Sequence, residues 1–385
     1  MARADSFRTR STAFARIRSR PGDLQMLTTE EMADPVFVSA WQRLVACAAE
    51  PNPFFEPWFL RPAMDQWATA DQVVATAWYD NGQLAALLPV NRSLHYYGHV
   101  VPHAKSWLHP NAFCGVPLIA AGHEDAFWRA MLSYLDRQAG RALFWHLPLL
   151  PADGPVNAAL SRVLAATPRT YYTAAEESRA VLTGPMCADD YLETSMSAKK
   201  RKELRRQHNR LTEEGALIFE RLDDASSLAA WTAEFLALEA AGWKGAAGSA
   251  LASAPDTYTL FVQALAGAAA EGRLERLALR LNGRAIAMLV NFVTPPGVYS
   301  FKTAFDENYA RFSPGMLLQL ENLSLLDRSD VQWADSCAAE GHPMIERLWR
   351  DKRRMVSRNI AIGGLLRRTA FRLLMAYETR SRKLA

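Results

Sequence analysis

Residues 76–90 have the sequence TAWYDNGQLAALLPV, residues 277–291 have the sequence LALRLNGRAIAMLVN, and the similarity of these two stretches predicts the fold. In each of them, Asn-Gly separates two largely apolar runs of residues that favour β-structure. Asn-Gly supplies the two positive-φ positions of a type I′ turn. Each stretch therefore predicts a β-hairpin with a two-residue turn, centred on Asn81 in one case and on Asn282 in the other.

The sequence on either side of the two hairpins also corresponds. A helical stretch precedes each hairpin, and a further strand, a helix and a short strand follow it. Two copies of one mixed α/β unit explain this pattern, with a boundary near residue 185. The predicted lobes are 24–185 and 186–362, with helices and short strands at 58–67, 124–138 and 142–147 in the first, and at 257–271, after Ser313-Pro314-Gly315 and at 331–335 in the second.

The composition indicates a globular protein without a metal site. Half of the 385 residues are hydrophobic and 22% are charged, which is ample for buried cores. The four cysteines stand far apart and form no CxxC or short Cys/His cluster, so we expect reduced thiols, no disulfide framework and no bound metal. No apolar run approaches the ~18–20 residues that span a bilayer, and the N-terminus lacks an apolar signal segment. We therefore expect a cytoplasmic protein.

Positive charge is concentrated in three segments. Residues 1–20 contain six arginines and one aspartate, and we expect 1–23 to be a disordered basic arm. Residues 195–215 contain seven basic residues, no proline and few apolar residues, which predicts an exposed linker helix at the start of the second lobe. Residues 363–385 contain five arginines and one lysine among leucines and aromatic residues, which predicts a basic amphipathic helix.

Residues 298–323 predict a strand, a polar loop and a helix that could bind an anion. Ser313 is expected to cap the helix with its hydroxyl, and Pro314 is expected to be the first helical residue. Gly315 keeps the first turn free of side-chain bulk, so that unpaired N–H groups and the helix dipole would suit a pyrophosphate, with Arg311 close by. An ordinary helix start without a ligand is the alternative.

Several motifs of the chain resemble the BioF2-like (CelD-like) acetyltransferases of the GNAT superfamily, a family similar to the FemAB-type transferases. The resemblance spans roughly residues 35–355 and implies a tandem GNAT-like α/β fold, with two acyl-CoA N-acyltransferase lobes in one chain. The motifs are PNPFFEPWFL at 51–60, SxxKRKELRR from Ser197, WKG at 243–245, FKTAFDENYARFSPGMLLQLENL at 301–323 and VQWADSCAAEGHPMIERLW at 331–349.

The resemblance implies an acyl-CoA donor. The phosphate-binding motif of GNAT proteins, a glutamine or arginine followed by a glycine-rich turn into a helix, would fall on Arg311, Phe312, Ser313, Pro314, Gly315 and Met316. Only Arg311 and Gly315 fit this motif, because Ser-Pro replaces the usual first glycine. FemAB relatives use aminoacyl-tRNA, so the departure leaves the donor open between coenzyme A and aminoacyl-tRNA.

Acyl transfer to an amine needs a base and a hydrogen-bond donor for the carbonyl oxygen, but neither a metal nor a covalent intermediate. Asp306 and Asp335, each at the end of a predicted strand, are the candidate bases; alternatively, the first begins a turn and the second caps one. Cys337 acting as a nucleophile beside His342 is disfavoured, because no orienting partner is recognisable. The candidate substrate-binding residues are Trp243, Lys244, Lys302, Tyr309 and His342, with solvated lysines as the alternative.

Three functions compete: an acyl-CoA-dependent N-acyltransferase, a tRNA-dependent aminoacyl transferase and a non-catalytic interaction protein. The basic helix 195–215 contains no aromatic residue that could stack on a base, which disfavours nucleic acid and favours the first function. The acceptor would then be a small-molecule or lipid amine, such as a long-chain base, or an amino sugar of an envelope polysaccharide. Segment 363–385 either lies on an anionic membrane, making the protein peripheral on its inner face, or packs on the second lobe.

Overall fold

Both predicted hairpins are present, one in each lobe. The computed structural model describes residues 22–384, apart from the side chains of 380–384, so the predicted basic arm lies outside the described residues except for its last two. Asn81 and Gly82 have φ of 48° and 78°, and Asn282 and Gly283 have φ of 52° and 81°. Positive φ at both central positions is the type I′ geometry that Asn-Gly predicts.

One mixed sheet of thirteen strands runs through the described chain in the order β1-β2-β3-β4-β6-β13-β7-β12-β11-β10-β9-β8, with β5 beside β3. The strands are β1 Leu24–Leu27, β2 Val74–Asp80, β3 Gln83–Tyr96, β4 His99–Ser106, β5 Leu118–Ile119, β6 Phe144–Pro151, β7 Tyr171–Thr183, β8 Leu217–Leu222, β9 Leu274–Leu281, β10 Arg284–Thr294, β11 Gly297–Phe305, β12 Trp333–Asp335 and β13 Asp351–Ala361.

The helices cover both faces of this sheet. They are α1 Thr29–Met32, α2 Pro35–Cys47, α3 Pro57–Asp71, α4 Glu124–Arg137, α5 Pro155–Ala165, α6 Ala188–Ser195, α7 Ala198–Glu213, α8 Leu228–Ala241, α9 Trp243–Ala246, α10 Pro255–Ala270, α11 Pro314–Asn322 and α12 Leu365–Leu384. Short 3₁₀ turns lie at Pro53–Phe55, Leu251–Ser253, Glu307–Phe312, Leu323–Asp327 and Ile345–Arg347.

The two halves of the chain are built alike and exchange one strand each. Four antiparallel strands lead in each half to a parallel pair, β4 with β6 and β11 with β12. The strand next to β6 is β13, from the second half of the sequence, and the strand next to β12 is β7, from the first half. Because β7 and β13 also pair with each other, each half completes the sheet of the other.

The halves also share one hydrophobic core. The rings of Trp58 on α3 and Phe292 on β10 are 4.8 Å apart between centroids, and Phe54 packs on Phe301 at 6.0 Å. Helices α3 and α10 approach so closely that a Cβ on Gly267 would lie 2.6 Å from the Cβ of Trp58. Buried aromatic side chains contribute strongly to folding stability, so the two lobes stabilise each other through this shared core.

The two predicted basic helices are present, and each buries apolar side chains on one face. The linker helix α7 begins after its N-cap Ser197 and buries Leu204 and Leu211, while most of its basic residues face solvent. Helix α12 begins after Gly364 and buries Phe371 and Met375. None of the helices in the described part of the chain is both long and apolar enough to cross a bilayer.

Candidate active site

The two parallel strands of the second lobe diverge after a short pairing. Strands β11 and β12 pair over three residues only, from Gly297 opposite Trp333 to Tyr299 opposite Asp335. Strand β11 then continues to Phe305, whereas the chain after β12 turns away at Cys337, whose φ is 53°. The space between residues 300–305 and residues 335–338 is called the second-lobe cleft below.

A β-bulge shapes the β11 side of this cleft. The register of β10 and β11 shifts between Val290, which lies opposite Lys302, and Asn291, which lies opposite Ser300. Phe301 is the extra residue, and its ring packs on Phe292 with 4.6 Å between centroids. Bulges bend a strand and redirect its side chains, so this bulge sets the direction in which Lys302 leaves the sheet.

Lys302 is the central cation of the second-lobe cleft. Its Nζ donates a hydrogen bond of 2.8 Å to Oδ1 of Asn111, a first-lobe residue. The Nζ also lies 5.4 Å from the ring centroids of both Phe113 and Phe301. Burial, together with the positive charge of Lys244, lowers the pKa of Lys302 from 10.5 to about 8. A lysine with this pKa is partly neutral near pH 7 and can both accept and release a proton.

The predicted residues Trp243 and Lys244 lie at the mouth of the same cleft. Nζ of Lys244 is 2.8 Å from Oε1 of the buried Glu239, whose Oε2 accepts the N–H of Leu251 at 2.8 Å. The Lys244 ammonium also donates to the Thr303 carbonyl at 3.4 Å. Trp243 is 61% exposed, and its backbone N–H donates to Oε1 of Glu307 at 2.7 Å. Helix α9 therefore presents one fixed cation and one exposed ring to the cleft.

The segment after β12 borders the cleft from the other side. His342 is half-buried, and its Nδ1 accepts the N–H of Ile345 at 3.4 Å. Burial lowers the pKa of His342, and the positive charge of Lys244 acts in the same direction. Sδ of Met344 lies 3.2 Å from the position that a Cβ of Gly315 would occupy. The cleft thus reaches from the lysines to the beginning of α11.

Asp335 is fully buried at the bottom of the cleft, next to two arginines. Its Oδ1 accepts the N–H of Cys337 at 2.8 Å, and its Oδ2 is 3.5 Å from Arg179 and 4.0 Å from Arg353. The two arginines come from the exchanged strands β7 and β13, so this carboxylate joins three strands at the point of divergence. With both oxygens directed to cations or backbone, its contacts are those of a structural anion.

Asp306 begins a turn, as one of the two interpretations of the sequence had it. Its Oδ1 accepts the N–H of Asn308 at 3.0 Å and the side-chain amide of the same residue at 2.9 Å. Its Oδ2 accepts a hydrogen bond of 3.0 Å from Arg284. The carboxylate caps the 3₁₀ turn Glu307–Phe312 and is only 8% exposed. Its oxygens are therefore engaged on the α8 side of β11.

The beginning of α11 differs from its prediction. Pro314 is the first helical residue, but Ser313 has φ of 52° and its side chain makes no capping hydrogen bond, so the expected hydroxyl cap is wrong. An N-cap needs an extended backbone to direct its oxygen at the first turn, and the left-handed conformation of Ser313 turns it away. Pro314, Gly315 and Met316 are buried.

The arginines near α11 form a separate surface cavity. Arg311 is 66% exposed, lies 3.0 Å from Glu214 and stacks on Phe312 with 4.6 Å between the guanidinium and the ring centroid. Tyr309 packs on the same ring, with centroids 6.5 Å apart. A cavity of about 320 Å³ opens between this loop and α7. It is lined by Arg206, Gln207, Arg210, Glu213, Glu214, Arg311 and Phe312.

The structure brings Trp243, Lys244, Lys302 and His342 together around one cleft, and it separates them from Arg311 and Asp306. Sequence reasoning missed Asn111, Glu239, Arg179 and Arg353. The first of these comes from a loop of the other lobe, and no local pattern connects it to Lys302. The WKG motif could have indicated Glu239, because this carboxylate lies only five residues before Lys244 in the sequence.

Comparison with known proteins agrees with this geometry. Residues 198–342, which include β11, β12 and the residues around the second-lobe cleft, match the sequence profile of the acetyltransferase (GNAT) domain. The comparison with curated proteins found no match. Among solved structures, FemX is similar with a TM-score of 0.55 and 10% identity, over 88% of this chain and 97% of that chain.

Two further solved structures have the same fold. A conserved protein of unknown function from Bacteroides thetaiotaomicron VPI-5482 is similar with a TM-score of 0.53 and 9% identity, over 84% of this chain and 97% of that chain. The C-terminal domain (DUF2156) of a putative lysylphosphatidylglycerol synthetase from Agrobacterium fabrum is similar with a TM-score of 0.51 and 12% identity, over 84% and 90%. At these identities the likeness concerns the fold.

The predicted fold class is confirmed: the chain is a mixed α/β protein with tandem GNAT-like lobes in one sheet. The chain is also an enzyme, a transferase, since residues 198–342 match the acetyltransferase (GNAT) domain.

Proposed function

We propose that this chain is an acyl-CoA-dependent N-acyltransferase of the BioF2-like kind and that its reaction centre is the second-lobe cleft. The observation that carries the proposal is Lys302, held by Asn111 at 2.8 Å where β11 and β12 diverge, with a pKa lowered to about 8. The contacts of Asp306 and Asp335 favour Lys302 over either carboxylate as the proton acceptor, because each carboxylate is already engaged by an arginine.

The reaction can be written with these groups. The neutral amine attacks the thioester carbonyl, the C–N bond forms, and Lys302 accepts the proton that the amine loses. The C–S bond then breaks, and the protonated Lys302 returns the proton to the departing thiolate, whose ordinary pKa of about 8.5 is close to that of the lysine. Backbone N–H groups on the edge of β11 beyond Tyr299, which β12 leaves without a strand partner, can stabilise the negative carbonyl oxygen.

The arginine-lined cavity beside α11 fits the phosphates of the donor. Arg210 and Arg311 are exposed there and Arg206 lies beside them, and Arg311 already stacks on an aromatic ring. Guanidinium groups bind phosphate through paired N–H donors, and a stacked guanidinium loses less freedom on binding. Phe312 to Met316 connect this cavity to the side of the cleft at Met344, whose Sδ lies 3.2 Å from the position that a Cβ of Gly315 would occupy. We propose an amine acceptor, either a lipid amine or an amino sugar, that enters past Trp243.

The test is calorimetric titration with coenzyme A, acetyl-coenzyme A and palmitoyl-coenzyme A, together with a thiol-release assay on amine acceptors. We expect micromolar binding that Arg311→Glu abolishes and Arg284→Glu, an exposed arginine outside the cavity, leaves unchanged. If Arg311→Glu bound all three donors with wild-type affinity, the proposed phosphate site beside α11 would be wrong. Absence of binding to any of the three would overturn the coenzyme A proposal.

An aminoacyl-tRNA donor is the second candidate, because α7 presents a row of exposed cations. Lys199, Lys202, Arg205 and Arg210 are all exposed on this helix. Contacts of this kind bind phosphate irrespective of sequence and weaken steeply with salt. Filter binding of bulk tRNA across a salt series distinguishes the two donors: affinity that survives physiological salt and is lost in Lys202→Glu would favour tRNA.

A further inference from the structure

Helix α12 has two apolar faces, and the described part of the chain covers only one of them. Phe371 and Met375 are fully buried against Tyr96, Phe144 and Ala361 on one face of the sheet. Because side chains alternate along a strand, this is the face opposite to the one on which Trp145 and Ile360 join the main core. The inner face of α12 therefore accounts for its attachment to the first lobe.

The outer face of α12 is an apolar stripe open to solvent. Leu366 is 89% exposed, Leu373 is 70% exposed and Tyr377 is 73% exposed. These residues are seven and four positions apart, so they lie on one side of the helix, with the exposed Ala370 between them. Three exposed large apolar side chains in one line are an interaction surface rather than ordinary scatter.

The hairpin of β3 and β4 extends the stripe. Strand β2 pairs with β3 only as far as Val90, and β6 pairs with β4 only at Ala104 and Lys105, so the end of the hairpin extends beyond both neighbouring strands. Its end exposes Leu94 by 54%, Tyr97 by 62% and Val100 by 75%. Tyr96, between them, belongs to the same cluster as Phe371 of α12, so the hairpin and the helix lie side by side.

Charge identifies the partner of this surface. Segment 91–106 contains Arg92 and Lys105 and no acidic residue, and residues 365–384 contain six basic residues and one glutamate. A second copy of the chain would bring the same positive charge against this surface, which disfavours a symmetric dimer. Apolar side chains surrounded by basic residues match the acyl region and the anionic headgroups of a lipid leaflet.

We propose that the outer face of α12 and the tip of the β3–β4 hairpin form one docking surface for an anionic membrane. Leu366, Leu373 and Tyr377 from the helix, with Leu94, Tyr97 and Val100 from the hairpin, enter the headgroup and acyl boundary. Arg372, which is exposed on the same helix, contacts the lipid phosphates. Docking of this kind is independent of which donor and acceptor the second-lobe cleft uses.

The test is sedimentation of the full chain with vesicles of phosphatidylcholine, with and without phosphatidylglycerol. We expect binding that requires phosphatidylglycerol and falls at least about tenfold in Leu373→Glu, since burial of one leucine is lost and a charge is added. Tyr97→Glu, at a separate place in the fold, should weaken binding in the same way. Both residues are exposed, so neither substitution disturbs the core.

The matched control is Ile218→Glu, because Ile218 is 57% exposed on β8, the strand at the far end of the sheet. This variant should bind vesicles as the wild type does. Equal binding by Leu373→Glu and the wild type, or no binding to phosphatidylglycerol vesicles at all, would overturn the proposal. Self-association that Leu373→Glu abolishes, without vesicle binding, would assign the surface to a second copy and overturn it as well.

Discussion

The parallel strand pairs of the two lobes diverge alike, but in the described part of the chain a loop fills the divergence of the first lobe, whereas the cleft lies at that of the second. After β6 and β12 begin, each chain reaches a residue in the left-handed region, Leu149 with φ of 48° and Cys337 with φ of 53°. In the first lobe, Gly115 lies against the edge of β6 beyond its pairing with β4, and its N–H donates to the Leu149 carbonyl at 2.9 Å. In the second lobe the equivalent edge is lined by Lys302 instead.

The segment that closes the first-lobe divergence also completes the second-lobe cleft. Residues 107–117 contain Gly115, which packs on Pro148 and Leu149, and also Asn111 and Phe113, which contact Lys302. The loop of the first lobe thus fills the space between the diverging strands of that lobe and also supplies two side chains to the second-lobe cleft. In this duplicated fold, therefore, the first lobe supports the second-lobe cleft through one loop, and the reactive groups lie in the second lobe.

The sharpest test of this division is Lys302→Met, which keeps the length and apolar stem of the side chain. We expect the rate of acyl transfer to fall by roughly 10²–10⁴-fold, the usual contribution of a general base. The measurement is thiol release under saturating donor, with circular dichroism to verify the fold. Lys105→Met in the first-lobe strand β4 is the control and should retain the wild-type rate. An unimpaired Lys302→Met would move the chemistry out of this cleft.

Asp335 lies two positions before the left-handed Cys337, and the corresponding residue of the first lobe, two positions before the left-handed Leu149, is Leu147. The substitution Asp335→Leu therefore gives the second lobe the residue that the first lobe has. We expect a loss of about 3–5 kcal/mol in unfolding free energy, because Arg179 and Arg353 lose their buried counter-ion. Urea denaturation measures this loss. The reverse change in the first lobe, Leu147→Asp, should be at least as destabilising, since that buried position offers no such pair. A neutral effect of Asp335→Leu would contradict the structural role of the cluster.

Gly115→Ala tests the closed state of the first-lobe divergence. A Cβ at this position would lie within 2.0 Å of the Pro148 carbonyl oxygen, so the loop must shift. We expect a loss of about 1–3 kcal/mol in stability and a smaller fall in rate, because Asn111 moves with the loop. Thermal unfolding checks the first and thiol release the second. Gly364→Ala, which meets nothing within 4 Å, should change neither.

The pH profile measures the smallest effect. Catalysis by neutral Lys302 should make the rate rise with pH through about 8, so that the rate at pH 7 is about a tenth of the plateau. Asn111→Ala removes an acceptor that favours the charged ammonium, so the midpoint should move to lower pH. A midpoint that does not move would show that Asn111 does not act on Lys302.

Stability has a related pH dependence. The pKa of Lys302 is lowered in the folded chain, so between about pH 8 and its ordinary value of 10.5 the unfolded chain binds more protons and stability rises with pH.

The elements of this fold could be predicted from local sequence, because the Asn-Gly turns and the strand–loop–helix segment are local signals. The linker helix and α12 were also found within three residues of their observed ends. The failure of Ser313 to cap α11 could not be predicted from the sequence, because its left-handed backbone follows from the preceding 3₁₀ turn. The partner of Lys302 could not either: Asn111 is 191 residues away in sequence and meets it only through the shared core.

The exchanged strands β7 and β13 have a consequence for the way the chain is made. A ribosome that has released only the first half has exposed β6 but not β13, the strand that pairs with it, so the first lobe waits with an open sheet edge until residue 361 emerges. Such late, long-range pairing slows folding and exposes the unfinished edge to other chains. Cutting the gene between its two repeats would therefore yield two fragments that each lack a central strand, rather than two working halves.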